Sequence, residues 1–154
     1  MAEVETDSRQ PPFVLVLPFR PASVQGEGKA KYQARLQHEV RMAFGGREHL
    51  KGDLYVRITH FHRVKTRRAD VDNIIKPILD AMKGTVFVDD AAVRQCIAES
   101  IYLPDGFTVA DNNRPSPGFD ALSNLLTAGE PPHFMYVEVG TAPEQRITFG
   151  PLEG

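Results

Sequence analysis

Four aspartates in the middle of the chain have a spacing that could create a site for a divalent cation. Asp70 and Asp72 are separated by one residue, so an extended backbone projects both carboxylates to the same side. Asp89 and Asp90 follow after a predicted helix and a predicted short strand. We expect that strand to return Asp89 or Asp90 to the start of the helix. Carboxylates without histidine or thiolate form an all-oxygen site, which suits Mg²⁺ or Mn²⁺ rather than zinc.

A lysine and a basic run accompany these carboxylates. Lys76 lies about one helical turn after Asp72, on the same predicted helix face. An ammonium at that position can stabilise negative charge that grows on a phosphate, while a bound metal ion activates the attacking water. The segment 61–68 just before the aspartates could hold neighbouring phosphates through Arg63, Lys65, Arg67 and Arg68. Together these groups favour phosphodiester hydrolysis.

Each of these features also has an ordinary explanation. Close acidic pairs are often solvated loop residues or helix caps, and a basic run is often the solvated end of a strand. Asp80 is most simply the partner of Lys76 at i+4. His60 and His62 are in phase with a predicted strand, where we expect a structural or DNA-facing role. Cys96 falls among apolar residues and is expected to be buried and unreactive.

The apolar pattern predicts the elements that position these residues. Strands are expected at 13–17, 54–59, 86–88 and 134–139, and helices at 29–44, 74–83 and 119–126. Residues 93–103 fit either a strand or a helix. Because proline is tolerated only in the first turn, the second helix is expected to start near Asn73 or Ile74, or to be kinked at Pro77. This order predicts a layered α/β or α+β structure.

Composition narrows the class of protein further. With 154 residues, 42% hydrophobic and 25% charged, the chain is typical of one soluble globular domain. A single cysteine excludes an internal disulfide and a cysteine-based zinc site, and it fits a reducing, cytoplasmic compartment. The longest apolar run is too short for a membrane helix, and the acidic N-terminus is not a secretory signal. A net charge of −2 argues mildly against nucleic-acid binding, so only the local basic run favours DNA.

The domain boundaries follow from the same pattern. We expect one domain over residues 13–141, after a disordered lead-in at 1–12 and before a tail at 142–154. Within that domain, residues 104–132 are predicted to be an insertion made of a loop and a short helix.

The segment from Arg68 to Val93 resembles the signature of RusA-type Holliday-junction resolvases. It contains the pattern D-x-D-N-x-x-K-x-x-x-D-A and, a few residues later, an aromatic residue followed by x-D-D. The resemblance implies a small mixed β-sheet with two main helices packed on it. It also implies a Mg²⁺-dependent homodimer that acts in DNA recombination and repair and nicks four-way DNA junctions symmetrically in two strands. A two-fold dimer suits a substrate that needs two symmetric cuts.

The same resemblance assigns roles to individual residues. Asp70, Asp72 and Asp90 would be metal-binding catalytic acids, and Lys76 would be the catalytic lysine. Asp89 would be a neighbour of the metal with a less defined role.

One position departs from the family pattern. Members often carry a second lysine about ten residues past the acidic pair, where this chain has Glu99 and Ser100. A DNA-junction-binding protein with weak or lost catalysis is therefore an alternative hypothesis. A carboxylate-rich cation-binding module unrelated to DNA is a third.

Overall fold

A four-stranded mixed β-sheet forms the centre of the fold. The computed structural model describes residues 10–21, 27–65, 71–109, 118–145 and 147–151, without the side chains of Glu27, Val71 and Asp72. Its strands are β1 (Phe13–Leu17), β2 (Leu54–His62), β3 (Val93–Tyr102) and β4 (His133–Thr141). Its α-helices are α1 (Glu27–Phe44), α2 (Val71–Met82) and α3 (Phe119–Ala128). Within the described ranges, no helix combines the length and the apolar composition needed to span a bilayer.

The strands lie in the order β1-β4-β2-β3. β4 is antiparallel to both of its neighbours, whereas β2 and β3 are parallel. Parallel neighbours need a crossover, and α2 provides it between β2 and β3. β3 therefore ends the sheet on one side.

The main core lies between the sheet and the pair α1 and α2. On β2, Leu54, Val56 and Ile58 alternate with more exposed residues and are fully buried. On α2, Ile74 and Ile78 are buried at helical spacing and join the same core. Burial of each such side chain contributes about 1.5–3 kcal/mol, so this face holds α2 on the sheet.

α3 covers part of the opposite face of the sheet. Phe61 and Phe134 stack there with ring centroids 4.9 Å apart, and the leucines of α3 pack against them. Gly118, just before α3, allows a close approach. A Cβ at this position would lie 2.4 Å from Val14 Cγ1 and 2.7 Å from Tyr136 Cε2. A larger residue there would push α3 away from the sheet.

The predicted fold class is confirmed, and so are the first strand and the first and third helices. The predicted strand at 86–88 is wrong. Those residues form a turn after α2 with only an isolated bridge between Lys83 and Phe87. Val86 and Phe87 are fully buried, and the Leu50 N–H donates to the Val86 carbonyl at 2.7 Å. Val86 and Phe87 are therefore apolar because their side chains fill the core, not because they belong to a strand.

Two further elements differ from, or complete, the expectation. α2 begins at Val71, earlier than predicted, and contains Pro77 as its seventh residue. The Pro77 carbonyl accepts a hydrogen bond from Gln33 Nε2 at 3.0 Å, which ties α2 to α1. The ambiguous segment 93–103 is largely strand β3, because its backbone pairs with β2. Parts of the predicted lead-in, the insertion and the tail lie outside the described residues, namely 1–9, 110–117, 146 and 152–154.

Candidate active site

α2 separates the predicted acidic residues into two groups. Asp72 is the second residue of α2, although its side chain, like all of Asp70, lies outside the described part of the structure. At the other end, Asp89 Oδ1 lies 3.6 Å from Nζ of Lys83, the first residue after the helix. Asp90 opens the short helical turn that leads into β3. Asp72 is therefore in the first turn of α2, whereas Asp89 and Asp90 follow the end of this helix along the chain.

Asp90 has an oxygen atom that fits a cation. Its Oδ1 is buried and has no hydrogen-bond partner among the described residues. A buried carboxylate oxygen is normally hydrogen-bonded, ion-paired or bound to a metal. The described side chains include no group of three or more histidines, cysteines, aspartates or glutamates that could hold a metal ion. Asp70 and the side chain of Asp72 lie outside the described part of the structure, so the predicted ligand set stays a prediction.

Lys76 lies on α2 with its side chain exposed. It comes four residues after Asp72, about 6 Å further along the helix axis. An exposed ammonium near the start of α2 is free to approach a phosphate. Its predicted role in catalysis stays a prediction.

The basic run starts where β2 ends, and the side chain of its first member, Arg63, forms hydrogen bonds with other parts of the fold. The Arg63 guanidinium donates through Nε to the Pro131 carbonyl at 3.1 Å and through Nη2 to the Leu125 carbonyl. It also lies 5.5 Å from the centre of the Phe134 ring. Lys65, in contrast, is exposed to solvent. Arg67 and Arg68 lie outside the described residues.

Four stacked rings close the same end of the sheet, and we call them the histidine stack: His60 and His62 on β2, Tyr102 on β3 and His133 on β4. The His60 and His133 rings are 5.3 Å apart, and His60 Nε2 lies 3.1 Å from His133 Nδ1. The His62 ring stacks on Tyr102 at 5.2 Å. Sequence analysis missed His133 and Tyr102, because only the strand register places both opposite His62.

The histidine stack also anchors the chain on both sides. His62 Nδ1 lies 3.0 Å from the Val64 carbonyl, so that nitrogen carries the proton and donates. Ser100 Oγ lies 3.3 Å from His60 Nδ1. The stack therefore fixes the start of the basic run on one side and contacts Ser100 of β3 on the other.

Two members of the histidine stack, His60 and His133, are neutral at physiological pH. Burial, followed by the neighbouring His133 and His62 and by Arg20, lowers the pKa of His60 to about 4. Burial, Arg20 and His62 also lower the pKa of His133. Ser100 and neutral His60 thus supply no positive charge at this contact between β2 and β3. Cys96 on β3 is only partly buried, and burial raises the pKa of its thiol.

Comparison with known protein families assigns the chain to a family. The family model described as endodeoxyribonuclease RusA matches residues 21–109, which is more than half of the chain. The chain belongs to the RusA family. Membership implies an endonuclease that acts on DNA at Holliday junctions. The RusA match includes α1, β2, α2 and β3 and every residue predicted for the site, whereas α3 and β4 lie beyond it. A search of curated proteins gives no match.

Proposed function

We propose that this protein is a Mg²⁺-dependent homodimeric endodeoxyribonuclease that resolves Holliday junctions by paired, symmetric nicks. The observation that carries the proposal is the RusA match over the segment that contains the D-x-D pair, Lys76 and the D-D pair. The unpartnered, buried Oδ1 of Asp90 supports it, because such an oxygen suits a hard cation.

In this proposal the residues have distinct tasks. Asp70, Asp72 and Asp90 would hold Mg²⁺, or Mn²⁺, with Asp89 beside them. The bound ion would polarise the scissile phosphate and lower the pKa of the attacking water. Lys76 is exposed and would stabilise the charge that grows on the phosphate oxygens during attack.

The basic run would hold the arms of the junction. Lys65 is exposed and available for a phosphate, and Arg67 and Arg68 continue the same run. Arg63 would combine a phosphate contact with its bonds to the carbonyls of Leu125 and Pro131. Such contacts add affinity without sequence preference and weaken as salt increases.

Cleavage of a mobile four-way junction tests the proposal. We expect the wild-type protein to nick the junction with Mg²⁺ or Mn²⁺, and Asp72→Asn and Lys76→Ala to lose this activity by at least about 100-fold. Asp120→Asn and Lys51→Ala are matched controls, because both residues are exposed and lie outside the proposed site. No cleavage by the wild-type protein, or equal cleavage by Asp72→Asn, would rule out the nuclease.

A junction-binding protein with weak catalysis is the second candidate. The neutral contact between Ser100 and His60 favours it, because no cation stands at the position of the family lysine. This candidate predicts a gel shift of the junction without nicks when Mg²⁺ is present. Cleavage that Lys76→Ala abolishes would exclude it, and an absence of DNA affinity at low salt would instead indicate a cation-binding module.

A further inference from the structure

α1 carries a concentration of positive charge that the proposed active site does not use. Its described side chains include one carboxylate, Glu39, against four cations, Lys29, Lys31, Arg35 and Arg41. Lys31, Arg35 and Arg41 are spaced i, i+4 and i+10, so they share one face of the helix within about 120°. We call these three residues the α1 cation row. The whole chain has a net charge of −2, so the row is a local feature rather than a result of composition.

The cations of the row are exposed and, within the described residues, are not neutralised by carboxylates. The ion pairs in that part of the chain are those of Lys83 and Arg94. Arg35 packs on the Phe19 ring, with its Cζ 3.9 Å from the ring centre, and the Tyr32 ring contacts Phe19 at 6.0 Å. The Arg35 guanidinium is therefore held in place while its exposed side stays open to an anion.

The row begins at the edge of the sheet from which α2 starts. β1 and β2 run in the same direction, because both are antiparallel to β4, so they end at the same edge. α1 starts at this edge, where Tyr32 contacts Phe19 just after β1. It ends at the opposite edge, where the Phe44 ring lies 5.3 Å from that of Phe13. Since α2 follows the end of β2, the two helices are parallel neighbours, and their outward faces form one surface.

The proposed catalytic lysine lies on that surface, next to the row. Gln33 of α1 donates to the Pro77 carbonyl at 3.0 Å, which sets Lys76 level with the first half of the row. Packed helices are about 8–10 Å apart, so the row runs about one helix diameter from Lys76. From Lys31 to Arg41 it extends about 15 Å along α1, the length of about four base pairs of duplex DNA. The row therefore leads away from the proposed site over a length that suits one arm of a junction.

We infer that the α1 cation row binds the phosphate backbone of one duplex arm of the junction, beside the arm that the basic run holds. This inference rests on the proposed function and adds the surface for a second arm. A four-way junction has four arms, and a two-fold homodimer presents each of its surfaces twice, so each protomer has two arms to hold. The basic run of each protomer accounts for one arm, and the row accounts for the other. Contacts of this kind carry no sequence preference and weaken as salt increases.

Removal of two charges from the row tests this inference. The variant Lys31→Gln/Arg41→Gln is compared with Lys51→Gln/Arg57→Gln, which also loses one lysine and one arginine. Lys51 and Arg57 are exposed, and Arg57 lies on the sheet face opposite the two helices. We expect the row variant to bind a four-way junction about 10–100-fold more weakly than the wild type at about 0.1 M salt, measured by fluorescence anisotropy in EDTA. The slope of log affinity against log salt concentration should decrease in magnitude by about 2. The control should keep the wild-type affinity and slope.

Neutral linkages in the DNA show whether the row touches an arm directly. Methylphosphonates in one opposite pair of arms remove the phosphate charge and keep the base pairs. The wild type should bind this junction more weakly than the unmodified one, because either the row or the basic run then faces neutral arms. The row variant should lose much less, because it can place the neutral arms on the row that has already lost its charge.

Equal affinity and equal salt slope of the row variant and the control would overturn the inference and leave the nuclease proposal intact. Equal losses of the wild type and the row variant on the methylphosphonate junction would overturn it as well. Both variants should keep the thermal midpoint of the wild type, which separates a lost contact from a damaged fold. A wild-type protein that neither binds nor cleaves junctions would remove the proposed function itself.

Discussion

Asp90 is expected to bind the metal ion and to lower the stability of the fold when the metal is absent. Its buried, unpartnered Oδ1 lies close in sequence to a second carboxylate at Asp89. We predict that Asp90→Asn leaves the metal-free protein as stable as the wild type, or more stable by up to about 1 kcal/mol. Thermal unfolding in EDTA would then show an equal midpoint or one about 2–4 °C higher.

Addition of the metal should reverse the order of the thermal midpoints of the wild type and Asp90→Asn. Mn²⁺ should raise the midpoint of the wild type, since the proposed site would bind it only in the folded state, and should leave Asp90→Asn nearly unchanged. Asp120→Asn, an exposed residue of α3, should respond as the wild type does. A large loss of stability for Asp90→Asn in EDTA would contradict this account.

His60 should make the stability of the fold depend on pH. Its folded pKa of about 4 lies below the ordinary value of 6.5, so the unfolded chain takes up the proton first as the pH falls. The contribution of neutral His60 is therefore complete above pH 6.5 and is lost between pH 6.5 and 4, by up to about 3 kcal/mol. We predict that His60→Gln makes the free energy of unfolding, measured with urea, depend less on pH between pH 6.5 and 4. His38 is exposed on α1, so His38→Gln should leave this pH dependence unchanged. A wild-type protein whose stability does not decrease below pH 6 would refute the role assigned to His60.

At the scale of elements, the end of β2 combines a proposed DNA contact with structural contacts of Arg63. Arg63 donates to the Leu125 carbonyl within α3 and to the Pro131 carbonyl after it, so Arg63→Ala should destabilise the fold by about 1–3 kcal/mol through unsatisfied carbonyls. Lys65→Ala should leave stability unchanged, weaken junction binding and reduce the salt dependence by about one charge. Thermal unfolding and binding at several salt concentrations measure both effects. Equal stability of the two variants would contradict the structural role of Arg63.

Periodicity identified the elements that pack by simple alternation or by helical spacing. β1 and α1 follow this rule, since each buries one regular face. The segment 86–88 does not, because Val86 and Phe87 are both buried in a turn, and a short apolar run looks the same in either setting. β3 was ambiguous because its burial depends on pairing with β2, which lies far away in the sequence.

The candidate site was predictable in its residue types but not in its arrangement. The motif from Asp70 to Asp90 is local in sequence, so the family could be identified from it. Whether Asp72 and Asp90 meet depends on the length of α2 and on the turn that ties Lys83 to Asp89, and spacing alone does not fix these. The histidine stack depends in the same way on strand register.

At the scale of the whole molecule, the proposed homodimer would link folding to assembly. If two copies fold as one unit, unfolding also separates them, and mass action then raises the thermal midpoint with protein concentration. We predict a midpoint that increases steadily over a hundred-fold range of wild-type concentration in EDTA, measured by circular dichroism. Lys51→Ala, at an exposed position outside the proposed site, should preserve this dependence. A midpoint that is independent of concentration would show that the protein unfolds as a monomer, which would contradict the proposed homodimer.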